Sequence, residues 1–119
     1  MTALPKYKPS PDVVLAKATL NAARLLGLNN SELGQVLRLS QATVSRIGSS
    51  ARTIDPKSYE GESALMLVKI FRALDLLVGG DADARLAWMG AYNKALGSTP
   101  KDAILTLEGI VYTKHYLNG

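Results

Sequence analysis

The stretch LRLSQATVSRI, from Leu37 to Ile47, decides the fold class. Ser40 has the short hydroxyl side chain of a helix N-cap, and after it Val44 and Ile47 fall on one face while Gln41, Ala42, Ser45 and Arg46 fall on the other. A helix lying in the major groove of DNA needs that division: an apolar side clipped onto the helices behind it and a polar first turn facing base edges. Each side chain of the polar face has a matching chemistry. Ser40 can donate to a phosphate, the Gln41 amide suits adenine, the Ala42 methyl suits thymine, and the Arg46 fork suits guanine or a phosphate. With Thr43 and Ser45 these residues form the candidate DNA-reading set.

Upstream, Asn30 or Ser31 can cap a helix through Leu37 that turns Leu33, Val36 and Leu37 inward. A first helix over 13–26 is expected from Val14, Ala18 and Leu25 at helical spacing, with Pro11 suited to a first turn and Gly27 to a stop. Residues 1–10 read as an extended arm, and Ser49–Tyr59, with Pro56 and several small polar residues, as a hinge. The chain therefore divides into an arm plus helix-turn-helix at 1–54 and a second half at 55–119. Charge divides in the same place: seven Lys/Arg against two acidic residues up to Ile54, a net +5, but seven against eight beyond it. A basic first half with a near-neutral second half points to a polyanion for the one and a different partner for the other.

The second half opens with a helix expected over 62–78, whose charges after the first turn are Lys69, Arg72 and Asp75, three apart in one stripe. A helix this apolar is expected to be buried nearly all round. The plainer reading makes it the central helix of a small bundle; the sharper one adds a subunit or partner interface, with Leu67, Ile70, Phe71 and Leu74 assigned to a homodimer contact. Gly79-Gly80 closes that helix, and Asp81 caps another with Leu86, Trp88 and Met89 inward or half-inward. Thr99-Pro100 starts a short helix, and Thr106 starts the last one. On that last helix Tyr112 and Tyr116 lie four apart on one face, while Leu107, Ile110, Val111 and Leu117 favour another. Period-two alternation of useful length is absent, so the class is all-α: a helix-turn-helix bundle followed by a helical half.

Composition removes most chemistry. The chain has no cysteine and one histidine, His115, so thiol nucleophiles, zinc-thiolate sites and disulfides are excluded, and no catalytic, metal or cofactor site is expected. The Asp81/Asp83 pair is accounted for by first-turn helix charges. An N-terminus without a continuous apolar run, and three charges interrupting the most apolar helix, argue against export and against a membrane span; the expected location is the cytoplasm.

Leu39–Ile47 closely resembles the Xre-type helix-turn-helix of phage-repressor-like regulators. It departs from that pattern in the residues before it, with Gly34 where alanine is usual and Arg38 where the turn glycine is usual. The run VKIFRALDLLVGGDADARLAWMGAYNKALGSTPKDAILTLEGIVYTKHYL resembles the toxin-binding domain of Xre/MbcA/ParS antitoxins, with Gly79-Gly80, Trp88, Asn93, Leu96-Gly97, Pro100 and Glu108-Gly109 in family order. The resemblance implies an antitoxin that pairs with a RES-domain toxin, one that consumes NAD or uses it for ADP-ribosylation. Its C-terminal region would cover the entrance to the toxin's active site, and the protein would repress its own operon at operator DNA. The implied toxin contacts are Tyr112, His115, Tyr116, Leu117, Asn118 and Gly119, although tyrosines at this spacing also suit simple packing over a domain's own core. A stand-alone regulator whose second half only dimerises remains the competing reading.

Overall fold

Ser10, Asn29, Ser40, Ser58, Asp81 and Thr99 each stand one residue ahead of a helix and accept backbone N–H groups that the helix leaves unpaired. The helices they start, in the computed structural model describing residues 9–118, are α1 Pro11–Leu25, α2 Asn30–Leu37, α3 Gln41–Gly48, α4 Tyr59–Leu77, α5 Ala82–Gly90 and α6 Pro100–Ala103; α7, Leu107–Asn118, follows. No strand occurs among the described residues, which bears out the all-α class; one isolated bridge joins Asn93 to Ser98. The arm expected over 1–10 lies outside the described residues except for Pro9 and Ser10.

Helix α4 is the axis of the fold, packing most extensively against α7 and α1 and also against α2. It buries Ala64, Leu67, Val68, Ile70 and Leu74, and one hydrophobic cluster runs from Leu15 through these residues to Ile110. Leu67, Ile70 and Leu74, expected to face a second copy, are completely buried inside the chain; of that set only Phe71 stays partly exposed. The reason is packing demand. Three neighbours of the same chain pack on α4, and Leu67, Ile70 and Leu74 are used up in meeting them. Nor is the helix buried all round, since Leu76 is 85% and Leu77 68% exposed at its C-terminal end.

The inner face of α1 is rotated by one position from the expected Val14, Ala18 and Leu25. Leu15, Ala16, Thr19, Ala22 and Ala23 are buried, and Val14 is half exposed. Ala22 and Ala23 put small side chains on the buried face, and Thr19 enters the core because its hydroxyl donates to the Leu15 carbonyl at 2.6 Å. On α5, Met89 is buried, Trp88 packs on the edge of the core and Leu86 is nearly half exposed. The face expected to carry Leu107, Ile110, Val111 and Leu117 on α7 divides. Ile110 is buried and Leu117 packs on the core, but Leu107 and Val111 point out.

Segment 49–59 is a packed connection rather than a hinge. Ile54 is buried, its N–H donates to the Asp12 carbonyl, and Arg52 pairs with Glu60 at 3.1 Å. Two further polar ties join the early and late helices. Lys101 of α6 reaches Glu32 of α2 at 3.3 Å, and Arg85 of α5 donates to the Leu25 carbonyl at 2.9 Å and to Asp75 at 2.7 Å while lying over the Phe71 ring. Replacing Arg85 with methionine keeps the bulk but leaves the Leu25 carbonyl without this donor. We expect a loss of about 1–3 kcal/mol, readable as a shifted urea midpoint at unchanged slope. No described helix is long and apolar enough to cross a membrane.

Candidate functional site

Two surfaces stand out, one on α3 and one on α7. The first is built by the α2–α3 turn. Arg38 takes the left-handed conformation (φ 59°), which lets the Leu39 N–H close on the Gly34 carbonyl at 2.9 Å. The chain folds back so tightly that a Cβ on Gly34 would come within 2.8 Å of the Leu39 oxygen. Gly34 and Arg38, the two departures from the familiar pattern, therefore belong to one turn geometry.

Beyond the turn, Val44 and Ile47 are buried as expected and hold α3 on the bundle. Gln41, Ala42, Ser45 and Arg46 are exposed together. Ser40 caps the helix, accepting the Thr43 N–H at 3.2 Å, and its hydroxyl bonds the Thr43 hydroxyl at 2.9 Å. Thr43 is thus half-buried against the cap, not open on the outer face. The open face presents an amide, a methyl, a hydroxyl and a guanidinium along about one and a half turns of helix, the group of chemistries that read base edges.

The second surface is the outer half of α7. Tyr112 is 55% exposed and Tyr116 49%, with Leu107, Val111 and His115 beside them. Helix α7 is held down by Ile110 and Thr113, whose hydroxyl donates to the Gly109 carbonyl. Leu117 packs partly on the core, the Asn118 side chain donates to the Lys114 carbonyl at 2.8 Å, and Gly119 lies outside the described residues. Tyr112 also lines a groove of about 360 Å³ between the 93–99 loop and helices α6 and α7, with Ala95, Leu96, Asp102 and Glu108. The loop is braced from within. Asn93 Oδ1 accepts the Ala95 and Leu96 N–H groups, and the Asn93 N–H donates to Ser98 at 2.9 Å.

Sequence reasoning missed this groove and the inward turn of Arg85. Arg85 carried a usable signal, because it lies four residues before the inward Met89 and so shares its face. Asp102 and Glu108 carried only half of one. Their first-turn positions are readable, but the opening of both turns onto one groove is a matter of packing.

The antitoxin Xre-like helix-turn-helix domain matches residues 8–79, and the antitoxin Xre/MbcA/ParS C-terminal toxin-binding domain matches residues 73–119. The two matches meet in the last turn of α4, so the central helix falls within the first and its C-terminal end within both. No curated protein matches the chain. A helix-turn-helix in which α3 packs on α2, followed by a toxin-binding domain matched through the whole of α7, makes this chain a member of the Xre-type antitoxins.

Proposed function

We propose that the chain neutralises a RES-domain, NAD-consuming toxin in the cytoplasm by laying its C-terminal region over the entrance to the toxin's active site, and that it represses its own operon through α3. The observation that carries this reading is the separation of two exposed faces of opposite character. A polar, cationic face lies on α3 and an aromatic, apolar face on α7, on different helices of one continuous core. Polar groups suited to base edges serve DNA, while rigid rings on an outward helix serve a protein pocket. The chain acts by binding; no catalytic step is assigned to it.

Co-expression with the neighbouring open reading frame tests the toxin half. Co-purification of a RES-domain protein, with recovery of NAD consumption once the two are separated, is the expected result. Failure to capture it leaves a stand-alone regulator, in which the α7 face has no toxin to meet. For the DNA half, Gln41→Ala and Arg46→Ala should each weaken operator binding by about 1–3 kcal/mol, with toxin capture untouched. Gel shifts against operator and scrambled duplexes read this directly; wild-type affinity for both duplexes after either change removes α3 as the reader.

A homodimer would place two α3 helices on a two-fold-related operator. With Leu67, Ile70 and Leu74 committed to the core, the apolar side chains α4 has left for such a contact are Leu65, Leu76 and Leu77, together with Phe71 at its edge. Light scattering at micromolar concentration should return twice the chain mass, and Leu76→Glu should return it to the monomer.

A further inference from the structure

Arg38 is one of two residues other than glycine with positive φ among the described residues, the other being Ser50 beyond α3. The turn forces this conformation. The Leu39 N–H must close on the Gly34 carbonyl, and position 38 has to be left-handed for the chain to turn into Ser40 and α3. Glycine adopts that conformation without strain, whereas a side chain with a Cβ does not. Strain held at an exposed position needs a return, and packing supplies none here: Arg38 is exposed and takes part in no ion pair among the described residues. Its place is specific. The residue lies two positions before the cap of α3, within about 7 Å of Ser40 along the chain by Cα spacing, on the shoulder of the helix whose first turn faces base edges. A cation on that shoulder meets the phosphates bordering the groove rather than the bases within it.

We propose that Arg38 is a phosphate anchor for duplex DNA, a binding residue that sets affinity without reading sequence, retained in the turn at the cost of backbone strain. The inference rests on the reading of α3 as the groove-entering helix. It makes an unusual joint expectation for Arg38→Gly: a more stable fold and weaker DNA binding. A purely structural residue would move both in the same direction.

The test uses the full chain, a duplex taken from directly upstream of its coding sequence and a scrambled duplex of equal length, titrated at several salt concentrations. For Arg38→Gly the melting temperature should rise by a few degrees. The slope of log affinity against log salt should fall in magnitude by about 0.9 for each chain bound to the duplex, the contribution of one phosphate contact per chain, and affinity at 0.1 M salt should drop by about eight-fold per bound chain on both duplexes, as that slope implies relative to 1 M. Arg38→Lys, which keeps charge and strain, should bind within about two-fold of wild type as expected of a phosphate contact. An Arg38→Gly protein with wild-type slope and affinity overturns the anchor alone. A wild-type protein that binds neither duplex overturns the reading of α3 and the anchor with it.

Discussion

Replacing Gly109 with alanine is expected to lower stability by about 3 kcal/mol or more, which for a chain of this size corresponds to a fall of roughly 10 °C in melting temperature. The position is the first turn of α7, where the Gly109 N–H donates to the Thr106 hydroxyl at 3.0 Å and the chain turns out of α6. A Cβ there would collide with the carbonyl oxygen of Ala103, and would stand 2.8 Å from the carbonyl carbon and from the Thr106 Oγ1. Two of those atoms are backbone, so no rotamer change relieves the clash. The turn itself must open. Because α7 caps α4 through Ile110 and Thr113, opening the turn pulls the last helix off the central one. Gly90→Ala is the control, since a Cβ at that position meets nothing within 4 Å. Thermal melts of the two variants should separate sharply; equal melting temperatures would show that the α6–α7 turn opens without cost to the fold.

The second large effect is expected at the partner surface. Tyr112→Ala and Tyr116→Ala should each weaken toxin capture by about 30-fold, the equivalent of roughly 2 kcal/mol for an aromatic anchor, and the double variant by at least about 100-fold. Both rings are about half exposed, so their removal takes little from the core, and circular dichroism should be unchanged. This is a cleaner experiment than deleting the chain from Leu107 onward. Such a deletion would strip Ile110 and Thr113 from α4 and expose the core, abolishing neutralisation through unfolding. Operator binding by the double variant should match wild type, because α3 and α7 lie on separate helices. A double variant that captures toxin at wild-type affinity would move the inhibitory contact to the groove beside Asp102 and Glu108 or to the 93–99 loop.

The contrast between α3 and α4 shows where the sequence was legible. Helix α3 is short, its cap is a single serine, and its two buried residues are the only large aliphatic side chains in it, so cap, length and inward face followed from local chemistry alone. The same holds for the starts of α5, α6 and α7, where Asp81, Thr99 and Thr106 cap within three residues of themselves. On α4 apolar residues occupy most of the circumference, and periodicity cannot say which of them meet α1, α2 and α7 and which are left over. Leu67, Ile70 and Leu74 went to the chain's own core and Leu76 and Leu77 to the surface, a choice made by where the neighbouring helices arrive.

By itself the sequence determined the all-α class and the helix-turn-helix with its exposed Gln41, Ala42, Ser45 and Arg46, because caps, turn residues and short amphipathic faces act over three or four residues; the two-part antitoxin family followed from the resemblance of two runs of sequence to known domains. Tertiary structure alone decided the single core through Ile54, the burial of the expected dimer face, the inward Arg85, and the groove that Asp102, Glu108 and Tyr112 share. Each of these depends on residues far apart in the chain competing for the same space, and that competition is settled only when α1, α2 and α7 close around α4.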